Sequence, residues 1–157
     1  MRRVLIGVGN PERGDDGAGR AVARRLAARV DRAFEVRESS GEAASLMDAW
    51  TGFDEVVLVD ACRGAGPPGS VHRFGPVDVG RVATLHASTH SLGVAAAIGL
   101  ARALGTLPER LVIYAIEAGR CAEGEGLSPE VDEGAREVVA RVMWDVGEPS
   151  GLGTDRA

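Results

Sequence analysis

Glu55-Val56-Val57-Leu58-Val59-Asp60 is the stretch that decides the fold. Its four central residues are all apolar and three are β-branched, so neither side of an extended chain is left for water; that is the pattern of a parallel strand buried on both faces. It ends on an acid. Upstream, Val4 to Gly9 reads the same way, and Gly9 with Asn10-Pro11 stops it. Phe34-Glu35-Val36-Arg37 is a short second strand, Ser70 to Phe74 a short edge or hairpin strand, and Leu111 to Ile116 the last.

Helical spacing fills the intervals. From Asp16 onward, Ala18, Val22, Leu26 and Val30 recur every four residues, with Arg20, Arg24, Arg25 and Arg29 between them. Asp15 or Asp16 suits the N-cap, where a carboxylate meets the positive end of the helix. Glu42 to Trp50 forms a second helix closed by Gly52, and Ser88 to Ser91 caps the apolar helix Leu92 to Leu104, stopped by Gly105. Ser128-Pro129 opens the final helix as N-cap and first-turn proline, with Val131, Ala135, Val138, Val142 and Met143 as its buried stripe.

Strands alternating with helices imply βαβ units. The expected fold is α/β, a three-layer sandwich in which a mostly parallel, twisted sheet of about five strands carries helices on both faces. Residues 1–146 form one domain, and the polar, Gly- and Pro-rich segment 147–157 is expected to be a disordered tail. If the first and third strands are neighbours, as in the common 2-1-3 order, their ends stand about 5 Å apart and the acids that follow them converge.

Composition narrows the function. The chain has 157 residues, 45% hydrophobic and 26% charged, which suits one globular domain able to bury a core. Its longest apolar run, Leu92 to Ala101, is shorter than the roughly 20 residues a membrane helix needs. Met1-Arg2-Arg3 leads straight into Val4-Leu5-Ile6 without the apolar stretch of a secretory signal, and two cysteines make no disulfide framework, so a cytoplasmic protein is expected. All 18 basic residues are arginines scattered among acids, at a net charge of −5, which argues against a nucleic-acid partner.

Gly7-Val8-Gly9-Asn10 with Asp15-Asp16-Gly17-Ala18-Gly19 has the look of a phosphate loop but fails as one. The dinucleotide pattern needs a third glycine where Glu12 stands, and a P-loop needs a lysine, which the chain lacks. Two acids at the helix start also repel phosphate. A metal suits them better. Asp16 follows the first strand, Asp60 ends the third and His90 opens the helix before the last strand. Two carboxylates and an imidazole are a three-donor set for a divalent first-row ion, with positions left open. Singly, each has a plain structural role as cap or turn former; their placement on one sheet edge is what points to a site.

Several motifs, in order, carry a family resemblance: Leu5-Ile6-Gly7-Val8-Gly9-Asn10 with Asp15-Asp16-Gly17-Ala18-Gly19, then Val57-Leu58-Val59-Asp60-Ala61, Ser88-Thr89-His90-Ser91-Leu92-Gly93, Ile116-Glu117 and Gly126-Leu127-Ser128-Pro129. Together they span the chain to about Trp144, and the sequence resembles the hydrogenase maturation proteases, an aspartic-type endopeptidase family by classification. The resemblance implies an endopeptidase that removes the C-terminal extension of a nickel-iron hydrogenase large-subunit precursor after nickel insertion. It further implies that no metal is permanently bound. By the same resemblance the nickel is carried by the substrate, and the site is expected to suit a divalent ion such as Ni, Zn or Cd.

The family's metal-recognition and catalytic positions fall on Asp16, Asp60 and His90, with Asn10 and Glu117 as substrate-contact candidates. Two departures, Glu38-Ser39-Ser40-Gly41 where the family is rich in Gly and Thr, and Ala118 where a proline is common, leave those positions intact and bear on substrate pairing. The partner is the precursor and the enzyme is expected to be a monomer. A carboxylate acting as general base and a metal-polarised carbonyl both remain open. The alternative is a non-catalytic nickel-recognising chaperone or checkpoint protein for hydrogenase assembly.

Other reactive residues read as structural. Cys62 with His90 as base would make a nucleophilic pair, but a lone cysteine just past a strand is more often a small buried side chain. Cys121 reads as structural or loop chemistry. His72 falls on the edge strand, facing the surface; His86 lies in a loop before His90; Asn10 shapes its turn by bonding its own backbone.

Overall fold

The computed structural model describes residues 1–29, 34–64, 66–78, 89–119, 121–124 and 126–147, and of residues 76, 89–92, 146 and 147 the backbone alone. Five strands form one sheet: β1 (Arg3–Val8), β2 (Glu35–Ser39), β3 (Glu55–Cys62), β4 (Val71–Phe74) and β5 (Arg110–Glu117). The helices are α1 (Ala18–Ala27), α2 (Ala43–Trp50), α3 (Thr89–Leu104) and α4 (Pro129–Gly147).

The strand order is β2-β1-β3-β5-β4. β1, β2, β3 and β5 run parallel, and β4 pairs antiparallel with β5 at the edge. Central position follows from apolarity. In β1 every residue after Arg3 is buried, and in β3 every residue after Glu55. Edge strand β2 instead exposes Glu35, Arg37 and Glu38, charges that keep a foreign strand from pairing there.

Side chains alternate across the sheet and two cores result. Leu5, Val57, Val59 and Ile116 pack with Val22 of α1 and Val138 of α4 on one face. On the other, Ile6, Leu58 and Ile113 meet Leu46 of α2 and Ile98 of α3. Each fully buried Leu, Ile or Val contributes about 1.5–3 kcal/mol, so the two faces together supply the driving force. The three layers and the 2-1-3 order are as the sequence led one to expect.

Several boundaries move. A 3-10 turn, Gly14–Gly17, precedes α1, whose cap position is Gly17 with no side-chain cap bond, so neither Asp15 nor Asp16 caps that helix. Strand β3 runs two residues past Asp60, to Cys62. Helix α3 starts at Thr89 rather than Leu92, and its end is closed by Gly105 N–H to the Arg102 carbonyl and Thr106 N–H to the Ala101 carbonyl, with Gly105 at φ +70°. Val30, His86, Ser88 and the 148–157 segment lie outside the described residues.

Candidate active site

The chain leaves β1 to build β2 on one side and returns to place β3 on the other, so the carboxyl ends of β1 and β3 form the switch point where doubly wound sheets hold their ligands. Gly7 pairs with Val59, so Asp60 follows directly beyond the last pair of the two strands, within reach of Gly9. A Cβ on Gly9 would stand 2.1 Å from the Asp16 carbonyl oxygen and 4.0 Å from Asp60 Oδ1. Only glycine fits, and φ of +138° requires it as well. The Asp16 backbone carbonyl and the Asp60 carboxylate thus both lie against Gly9, and the two residues are 2% and 4% exposed.

The glycines explain how this is reached. A Cβ on Gly19 would lie 2.2 Å from the Val59 carbonyl oxygen and 2.4 Å from that of Val8, and one on Gly7 would lie 2.4 Å from the Gly19 carbonyl oxygen. The first turn of α1 therefore rests backbone to backbone on the ends of β1 and β3. What resembles a phosphate loop is a packing device. The 3-10 turn joins β1 to that helix and carries both acids.

Those acids have separate roles. Asp15, 0% exposed, accepts the Gly119 N–H at 3.0 Å and the Ser128 N–H at 2.7 Å, and its oxygens take the Ser128 hydroxyl at 2.8 and 3.0 Å. Ser128 is the residue whose carbonyl accepts the first bond of α4, from Asp132 N–H at 2.9 Å, so Asp15 sits at that helix's positive end. It caps a helix other than its own. Asp60 Oδ1 accepts the Ala61 N–H at 2.8 Å, and the Asn10 N–H bonds the Asp16 carbonyl at 3.2 Å.

His90 lies in the first turn of α3, and its side chain is outside the described residues. Its helix is nonetheless anchored at this edge. A Cβ on Gly93 would stand 1.8 Å from the Gly41 carbonyl oxygen. The Gly41 N–H donates to Ser39 Oγ at 3.2 Å, and the Ser39 carbonyl accepts the Gly9 N–H at 3.1 Å. A run of close contacts thus joins the start of α3, through the loop after β2, to Gly9, which both acids approach. Asn10 Oδ1 accepts the Glu12 N–H at 3.0 Å, the Asx turn expected of it.

Glu117 is 1% exposed. Its Oε1 lies 3.2 Å from His72 Nε2, and Cys62 donates to its carboxylate. His72 is therefore not a surface-facing residue, because antiparallel pairing of β4 turns it inward with Phe74, and its side chain is 25% exposed. Cys62 is buried as expected; burial, the Glu117 charge and its hydrogen bond push the thiol above its ordinary range, against a nucleophilic thiolate. Pairing of an edge strand has no short-range sequence signal, so the sequence names Cys62, His72 and Glu117 singly without showing that they meet.

Fold and site define the class: a doubly wound α/β protein with buried acids at its topological switch point. More narrowly, the chain belongs to the hydrogenase maturation proteases, since the HycI hydrogenase maturation protease family model matches residues 21–144. It is an endopeptidase of that family. Among solved structures it resembles the [NiFe] hydrogenase maturation protease HybD from Thermococcus kodakarensis, at 26% identity and TM-score 0.77 over 94% of this chain and 100% of that one. The hydrogenase maturating endopeptidase HybD from E. coli shares the fold at 22% identity and TM-score 0.80, over 93% and 92% of the two chains. No curated protein sequence matches the chain. Among the described residues, no helix is long and apolar enough to cross a membrane.

Proposed function

We propose that this endopeptidase removes a C-terminal extension from a nickel-iron hydrogenase large-subunit precursor, and that Asp16, Asp60 and His90 recognise the nickel the precursor carries. The observation that supports this reading is the placement of the Asp16 backbone and the Asp60 carboxylate against Gly9. Two carboxylates and an imidazole are hard and borderline donors suited to that ion, and they complete its coordination only when it has been loaded. The ion belongs to the substrate, and the Asp16, Asp60 and His90 set holds none permanently. Docking on the metal fixes the scissile peptide beside the site, and an Asp16 or Asp60 carboxylate serves as base toward water or the nickel polarises the carbonyl. Asn10 shapes the turn after β1, and Glu117, the last residue of β5, is buried beside Cys62 and His72.

Free cysteines Cys62 and Cys121 agree with action in the cytoplasm, and the enzyme is taken to act there as a monomer. The test is mass spectrometry of a nickel-loaded precursor incubated with wild type, Asp16→Asn, Asp60→Asn or His90→Ala. Release of a C-terminal peptide by wild type alone is expected. A precursor left intact by folded wild type, or trimmed equally by all four, overturns the proposal.

A further inference from the structure

A second donor cluster lies two residues along β3 from Asp60. Cys62 stands opposite Glu117 in the parallel β3–β5 register, and His72 stands opposite Ala115 in the antiparallel β4–β5 register. Alternation puts all three on one face, the face of Leu58, Phe74 and Ala115 under α2 and α3. A thiol, an imidazole and a carboxylate thus meet at the carboxyl ends of β3 and β5, and their donor atoms all lie within 4.8 Å of one another.

We propose that Cys62, His72 and Glu117 bind a borderline divalent cation of the zinc or cobalt class, at a site separate from the Asp16, Asp60 and His90 set. Donor type selects the ion. Magnesium and calcium require oxygen ligands, whereas one sulfur, one nitrogen and one oxygen suit tetrahedral zinc or cobalt. Bond lengths of about 2.0–2.3 Å at tetrahedral angles put ligand atoms roughly 3.3–3.8 Å apart. His72 Nε2 and Glu117 Oε1, at 3.2 Å, stand just inside that separation, and the thiol, within 4.8 Å of both, reaches it by side-chain movement.

Burial fits a metal site with one open side. Cys62 and Glu117 are 2% and 1% exposed, while the His72 side chain, 25% exposed on the edge strand, gives the ion its way in. Binding displaces the thiol proton to solvent, and a thiolate with a carboxylate then balances the dication. Three protein ligands leave the fourth position for water. The ion would tie edge strand β4 to the ends of β3 and β5.

Cobalt titration of the full chain tests this, because a thiolate ligand gives a sulfur-to-cobalt charge-transfer band in the near ultraviolet that carboxylate and imidazole cannot. All proteins carry Cys121→Ser, which removes the other thiol. The expected result is a band saturating at one equivalent, abolished by Cys62→Ser, weakened at least about tenfold in affinity by His72→Ala, and retained in Asp16→Asn and His90→Ala. Absence of the band in the folded parent, its survival in Cys62→Ser, or unchanged affinity in His72→Ala overturns the site. Should Cys62→Ser fail to fold, the His72→Ala affinity decides, since that side chain sits at the sheet edge.

Discussion

The Asp15 carboxylate accepts the Ser128 N–H at 2.7 Å across 113 residues of chain, and so fastens the turn after β1 to the start of α4. Asp15→Asn keeps the shape but offers one acceptor where two oxygens served Gly119 and Ser128. An amide also turns two donors toward donors. A buried, charge-assisted network broken on one side costs roughly 2–4 kcal/mol. Urea denaturation should show a loss of that size, while Asp15→Asn with Ser128→Ala should lose less than the two single effects added. Strict additivity would mean that the two residues act apart.

Gly19 tests the packing account of the glycine-rich turn. Its Cβ would press on two backbone carbonyls, those of Val59 and Val8, neither of which can move without shifting a central strand. Gly19→Ala should therefore cost about 3 kcal/mol or prevent folding, at the upper end of overpacking effects. Gly99, also helical, has nothing within 4 Å of its Cβ position, and Gly99→Ala should stabilise by roughly 0.5–1 kcal/mol. Equal shifts of denaturation midpoint in the two variants would refute the contrast.

Much of this was legible because it is local. The Val56-Val57-Leu58-Val59 run fixed a doubly buried strand, and the spacing of Ala18, Val22 and Leu26 fixed the helix that follows β1. Asp60 was placed by the strand that carries it. Contacts distant in sequence were not legible. Asp15 and Asp16 are neighbours with the same charge, and only the fold shows that Asp15 is engaged by Ser128. His72 reads as an edge residue until the β4 register turns it toward Glu117 and Cys62.

Asp132 gives a pH-dependent contribution to stability. Its hydrogen bond from Arg25, with the charges of Arg25 and Arg136 alongside, holds the carboxyl below the usual carboxylate range. A depressed folded-state pKa stabilises above the unfolded value, about 3.9, and that stability is lost as pH falls through the lower folded value. The side chains are 34% and 29% exposed, so solvent screening limits the pair to roughly 0.5–1 kcal/mol. Asp132→Asn should show that deficit at pH 7 and a progressively smaller one as pH falls below about 3.9. A deficit that grows on acidification would contradict the assigned sign.

Gly93 links the packing to the proposed chemistry. Its Cβ would stand 1.8 Å from the Gly41 carbonyl oxygen, so Gly93→Ala must push the first turn of α3 away from the loop after β2. Val94, Ala97, Ile98 and Ala101 hold the rest of the helix in the core, which confines the shift to the turn that bears His90. Displacing a positioning group by about 1 Å can cost on the order of 100-fold in rate. Precursor cleavage should therefore fall at least tenfold in Gly93→Ala with the circular dichroism spectrum kept, and adding His90→Ala should cost little more. A folded Gly93→Ala that cleaves at the wild-type rate would separate the start of α3 from the reaction, and a full additional loss from His90→Ala would show that the turn had not moved.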